Sequence, residues 1–244
     1  MSMLHIAPEA IWHGPLMLVN ARHPMREPAE ERMVALESGG FSVPLNARAA
    51  ALLTELLAEI GAGNGIVPVS GFRSRAEQER IYRESLRDNG PAFTRRFVAL
   101  PGCSEHETGL AIDLGERRAS IDFIRPAFPD TGLCGAFRRR AAQYGFILRY
   151  PMDKQDVTGI DHEPWHFRYV GAPHAEIMER ENLCLEEYVS ALRSAASFSL
   201  PERGVEIRFI RPGGEDVEIP DDAVAQVSGN NVDGCIVTLW RHRK

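Results

Sequence analysis

Apolar positions recur every three or four residues between residues 44 and 60. Leu45, Ala49, Leu52, Leu53, Leu56, Leu57 and Ile60 stack on one side of a predicted helix. Gly61, Gly63 and Gly65 end it. Ile66-Val67-Pro68-Val69 then reads as a short strand, and Pro68, which has no N–H to offer a neighbour, places it at a sheet edge. Ser74 with Glu77 three positions later forms a capping box, starting a helix that runs through about Arg87. A further helix is predicted over about 133–144, with Leu133, Phe137, Ala141 and Tyr144 on one side and Gly145 as its stop.

From Gly109 the period shortens to two. Leu110, Ile112 and Leu114 point one way; Gly109, Ala111 and Asp113 point the other, so a core face backs a face of small residues around one carboxylate. Trp165, Phe167 and Tyr169 alternate in the same way against His166 and Arg168. Regular strand parity would send Glu163 away from His166, so Glu163 must precede the regular pairing, and Pro164 supplies that irregular entry. Beyond about residue 200, Val205–Phe209, the Pro212-Gly213-Gly214 turn, Val217–Ile219, turns at Asn230-Asn231 and Asp233-Gly234, and Ile236–Trp240 predict a short β-meander of about three strands. The pattern as a whole predicts an α+β fold: a small, mainly antiparallel sheet flanked by helices over residues 1–198, and a small β appendage over 199–244 of unknown role.

Composition narrows the class. At 244 residues, with 44% hydrophobic and 25% charged positions, the chain can bury a full core and does not read as disordered. A net charge of −6 argues against nucleic acid as a partner. The first residues lack a basic n-region and an unbroken apolar run, and no stretch reaches the length of a membrane span, so a cytoplasmic protein with no membrane association is expected. Cys103, Cys134, Cys184 and Cys235 are widely spaced, form no C-x-x-C pair and read as reduced thiols. Cys103 is close enough to His106 for a ligand role to be weighed, but a small, semi-buried side chain is the better reading. Nothing in the pattern separates a monomer from a homodimer.

The candidate chemistry lies in two segments, Ser104–Asp113 and Glu163–His166. His106, Asp113 and His166 offer two imidazoles and a carboxylate, a set that suits one Zn²⁺ per chain and leaves a tetrahedral position open. Glu163 would serve as general base and then acid for a metal-dependent hydrolysis. His5, His13, His23, His174 and His242 have no such company and read as structural. The stretch His162-Glu163-Pro164-Trp165-His166 also matches the helical H-E-x-x-H zinc motif, which would put His162 in place of His106 and Asp113. Pro164 inside the motif and the strand-favouring run after it argue against a helix there. Arg73, just before a capped helix N-terminus, reads either as an anion clamp or as a surface arginine paired with Glu77 or Glu79.

Ser70–Tyr82, Pro101–Gly115 and Glu163–Gly171 resemble the D-alanyl-D-alanine metallopeptidases of the VanY/VanXY type, peptidase family M15, whose zinc core is shared with hedgehog domains. The S-x-H-x-x-G-x-A-x-D and E-x-W-H patterns are complete and in order, and the resemblance covers roughly residues 15–190. It implies zinc on His106, Asp113 and His166, Glu163 as base and acid, and Arg73 as the group that polarises the scissile carbonyl. Gln78, Ser104 and Trp165 match positions lining the pocket for the terminal D-alanine, although Ser104 also reads as a turn residue and Trp165 as core. The implied activity is release of D-alanine from D-Ala-D-Ala or a precursor pentapeptide ending in it, with a role in vancomycin resistance or precursor editing. An endopeptidase on the same scaffold and a non-catalytic zinc module are the rival readings. A structural zinc would need neither Glu163 nor Arg73.

Overall fold

The computed structural model describes residues 2–26, 32–195, 197–213 and 216–241, so Gly214 of the expected turn and His242 lie outside the described residues. In chain order the elements begin with β1 (Ser2–Leu4), β2 (Met33–Ser38), β3 (Phe41–Asn46), α1 (Ala47–Glu59), β4 (Ile66–Ser70), α2 (Arg75–Phe97) and β5 (Ala111–Glu116). They continue with α3 (Gly132–Arg140), β6 (Phe146–Leu148), α4 (Gln155–Thr158), β7 (His166–Tyr169), α5 (His174–Arg180) and α6 (Leu185–Ala195). Strands β8 (Ser197–Leu200), β9 (Val205–Ile210), β10 (Val217–Ile219), β11 (Ala223–Gly229) and β12 (Cys235–Arg241) complete the chain. Two units result, Val19–Cys184 and a second made of Met1–Leu18 with Leu185–Lys244.

The unit Val19–Cys184 is built on an antiparallel sheet of order β4-β5-β7-β6, so β4, with Pro68, does lie at an edge. Leu110, Ile112 and Leu114 enter the core, where Leu45, Leu53, Leu56, Ile66, Phe137, Phe146 and Phe167 have no exposed surface. Phe128, Phe137 and Phe167 meet edge to face in its centre. The predicted helix over 44–60 starts later, at Ala47, because Asn46 caps it by accepting the N–H groups of Arg48 and Ala49 at 3.0 and 3.1 Å. Leu45 belongs instead to the β2–β3 hairpin, turned at Gly39-Gly40, which the helical spacing concealed. Ser74 caps α2 as its sequence requires, accepting the Glu77 N–H at 3.2 Å. Helical geometry breaks at Gly90 (φ 78°) and resumes at Pro91, so helix continues past the predicted end near Arg87. The helix predicted over 133–144 is α3 followed by a 3₁₀ turn, Ala141–Tyr144, stopped by Gly145 in the left-handed region.

The second unit carries a four-stranded antiparallel sheet, β11-β12-β9-β8, rather than a three-stranded meander. Val217–Ile219 is not in it: β10 pairs with β1 from the far end of the chain. The sequence pattern does not predict β8 or β11; in β11 the apolar face is the small one of Ala223, Ala225 and Val227, which packs on the core of Ile6, Val237 and Leu239. Helix α6 packs on β8 and β9 through Leu185, Tyr188, Val189 and Leu192, which draws the boundary back to Cys184/Leu185 from the predicted 198/199. No described helix is long and apolar enough to cross a membrane.

Candidate metal centre

Strand register gathers the site. Asp113 on β5 is directly opposite His166 on β7, and Ser70 on β4 pairs with Asp113 from the other side. Directly opposed residues on an antiparallel pair hold their side chains about 5 Å apart. A slip of one residue would turn Asp113 into the core and scatter the group. The third member, His106, comes from the 3₁₀ turn Glu105–Thr108, closed by Gly109 at φ 72°, a left-handed conformation that only glycine adopts cheaply.

His106, Asp113 and His166 are buried, and one donor atom from each lies within 4.8 Å of the others. His106 Nε2 is 3.1 Å from Asp113 Oδ2, and His166 Nδ1 is 2.9 Å from Asp113 Oδ1. His106 Nδ1 lies 2.7 Å from the Gly71 carbonyl. A carbonyl only accepts, so Nδ1 carries the hydrogen and Nε2 keeps its lone pair toward the site. Gly71 is required there, since a Cβ would fall 2.1 Å from the Pro44 carbonyl oxygen. Burial, reinforced by the Arg73 charge, lowers the His106 pKa and favours the neutral, ligating form. Burial would raise Asp113, but the charge and hydrogen bonds of the two histidines hold it well below the usual carboxylate range. Two imidazoles and a carboxylate that converge in a buried pocket fit a divalent cation.

Around this triad lie the candidate proton-transfer and charge-stabilising groups. Glu163 is held by its backbone, donating to the Tyr150 carbonyl at 3.1 Å and accepting the His166 N–H at 3.2 Å, in the irregular turn that precedes β7. Its Oε2 lies 3.8 Å from His166 Nδ1, and burial pushes its pKa up to about 8. Arg73 donates from Nε to Ser70 Oγ at 2.8 Å and from Nη2 to Asp113 Oδ2 at 3.0 Å. It therefore faces the triad and is not the surface arginine of the rival reading. Gln78 is buried, donates to the Ala99 carbonyl at 2.9 Å and lies 3.4 Å from Arg73 Nη1. Ser104 caps nothing with its hydroxyl, whereas Trp165 belongs both to the core and to the pocket wall. All eight predicted site residues line one cavity of about 450 Å³.

His162 is not in the cluster: Nδ1 lies 2.9 Å from the Tyr150 carbonyl, and residues 162–165 are not helical. Cys103 likewise stands outside the metal group found among the described residues. One part of the site escaped the sequence reading. Glu105, beside His106, has a fully buried carboxyl that accepts from Arg149 Nε at 2.7 Å and lies 2.9 Å from Arg168 Nη1. Burial would raise its pKa, but the two guanidiniums hold it below the usual range. Two acidic residues flanking a candidate ligand, Glu105 and Glu107, were the available signal; the partners of Glu105, Arg149 and Arg168, lie far along the chain.

A buried His-Asp-His triad, with a buried carboxyl of raised pKa and a guanidinium beside it, has the donor set and the charges of a metal-dependent hydrolase centre. A family model described as VanY, D-alanyl-D-alanine carboxypeptidase, matches residues 42–172, and the chain belongs to that family. It is 43% identical over 175 residues to the bifunctional D-Ala-D-Ala dipeptidase and D-Ala-D-Ala carboxypeptidase VanXYC of Enterococcus gallinarum, across 71% of this chain and 92% of the relative. The crystal structure of the vancomycin resistance D,D-dipeptidase VanXYg, in complex with a D-Ala-D-Ala phosphinate analog, matches with a TM-score of 0.92 and 45% identity. That match covers 98% of this chain and 99% of the other, so it takes in the C-terminal strands that the sequence resemblance left out. A mutant of the vancomycin resistance D,D-pentapeptidase VanY, solved in complex with Zn(II), matches with a TM-score of 0.55 and 30% identity over 72% of this chain and 98% of that one. The α+β fold predicted from the pattern is that of these structures.

Proposed function

We propose that this chain is a zinc D,D-peptidase that releases D-alanine from free D-Ala-D-Ala and from the precursor pentapeptide ending in it. The observation that carries the reading is the convergence of Glu163 and Arg73 on the His106–Asp113–His166 triad, which a purely structural metal would not need. The names of the relatives support the substrate: VanXYC is a bifunctional dipeptidase and carboxypeptidase, and VanXYg was solved with a D-Ala-D-Ala analog.

His106, Asp113 and His166 would hold the zinc, and when bound the ion supplies Lewis-acid chemistry that acidifies water and polarises a carbonyl. Glu163 takes the proton of the attacking water and passes it to the departing D-alanine amine. A buried carboxyl raised toward neutrality is suited to both transfers. Arg73, fixed by Ser70, presents its guanidinium to the oxygen on which negative charge develops, with no reorganisation needed at the moment of reaction. Gln78, Ser104 and Trp165 line the cavity and seat the terminal D-alanine. We place the enzyme in the cytoplasm, where it would trim soluble precursor and so remove the vancomycin target; cell fractionation tests that placement.

The decisive experiment offers the zinc-loaded protein free D-Ala-D-Ala and the muramyl pentapeptide side by side and measures D-alanine. Release from either is the expected result, and the ratio sets the balance of dipeptidase and carboxypeptidase activity. Zinc binding without release from either substrate would overturn the proposal.

A further inference from the structure

His166 has a carboxylate at each of its ring nitrogens. Nδ1 faces Asp113 and the triad, while Nε2 points at Glu105 Oε2, 3.6 Å away. That distance is about half an ångström longer than a good N–H···O bond. Both atoms are fully buried and neither has a hydrogen-bond partner of its own. Glu105 spends its other oxygen, Oε1, on Arg149 and Arg168, and all three side chains have 0% exposure. Burying an anion and two cations costs several kcal/mol in desolvation for each ion, and a well-packed apolar trio would avoid that cost. The network also leaves one carboxylate oxygen turned toward an imidazole N–H.

We infer that Glu105 is a positioning residue for the metal centre: Oε2 receives the Nε2–H of His166, which fixes Nδ1 as the ligating nitrogen and sets the plane of the ring. Arg149 and Arg168 keep that carboxylate in place and charged. The Gly71 carbonyl performs the mirror task for His106, engaging Nδ1 and leaving Nε2 for the metal. The two histidines thus ligate through opposite nitrogens, each chosen by a partner behind the ring. The inference rests on the reading of His106, Asp113 and His166 as metal ligands.

Two measurements test it. Zinc affinity is compared by chelator competition for the wild type and Glu105→Gln, with folding of each followed by circular dichroism. In parallel, ¹⁵N NMR of the zinc-loaded wild type reads which nitrogen of each histidine carries hydrogen. The expected result is a folded Glu105→Gln that binds zinc about 10–100-fold more weakly, with hydrogen on His166 Nε2 and on His106 Nδ1 in the wild type. A merely structural Glu105 would lower the melting temperature of the variant and leave its zinc affinity unchanged, which overturns the inference alone. A wild type that binds no zinc overturns the metal-centre reading with it. Should Glu105→Gln not fold, the NMR decides, since hydrogen on His166 Nδ1 overturns the assignment.

Discussion

The two sides of the His166 ring place the same amino acid in opposite conditions. On the Nδ1 side, Glu163 is buried with its Oε2 3.8 Å from the ring, and burial drives its pKa up to about 8. On the Nε2 side, Glu105 is buried more deeply, yet two guanidiniums keep it ionised. Burial alone therefore does not set the behaviour of a carboxyl; the number of cations brought into the interior with it does. One acid is suited to exchanging a proton, the other to never exchanging one. Separating environments in this way lets one small pocket hold a glutamate of raised pKa and a permanently ionised one on either side of a single ring.

Truncating each acid should break the comparison in opposite ways. Glu105→Ala removes the carboxylate that Arg149 and Arg168 share in the interior, and about 3–5 kcal/mol of unfolding stability should be lost in denaturant titrations. Glu163→Ala should instead keep its fold and its zinc while D-alanine release falls by about 10²–10⁴-fold. A stable Glu105→Ala protein or a fully active Glu163→Ala protein would remove the distinction. Arg73→Ala sharpens the assignment from the reactive side: kcat should fall by about 10²–10³-fold with zinc content unchanged, read by steady-state kinetics and metal analysis together.

The smallest effect comes from His174, where burial alone pulls the pKa down to about 3. Between that value and the unfolded value near 6.5, the unfolded chain binds more protons, so stability is full above pH 6.5 and falls as pH drops through this window. Each unit of descent below pH 6.5 should cost up to about 1.4 kcal/mol. In melts compared at pH 7 and pH 5, His174→Gln should lose less than the wild type. Equal losses would show that His174 does not carry this term.

The clustering of the triad was legible because its residues sit in short local patterns: an alternating strand puts Asp113 on the face away from Leu110, Ile112 and Leu114, and Pro164 explains how Glu163 enters ahead of β7. Capping at Ser74 is local too, and so are the turns at Gly109 and Gly145. What could not be read depends on partners distant in sequence. Nothing near Glu105 announces Arg149 or Arg168, and nothing near Val217–Ile219 announces that its partner is Ser2–Leu4. Leu45 shows a second kind of ambiguity. It satisfies the helical spacing of α1 and the alternation of β3 equally well, and only the cap at Asn46 decides between them.

Asp113 and His166 face each other across β5 and β7 although 53 residues separate them along the chain. During synthesis Arg73, His106 and Asp113 leave the ribosome well before β7 does, so for that interval the nascent chain has most of the parts of a hydrolase and no means of assembling them. Competence should switch on in one step, when the β7 pairing closes. Zinc taken up at that moment would favour the paired sheet by mass action. Retained metal would then report that the sheet has closed in correct register, and a chain that stalls or mispairs would stay inert.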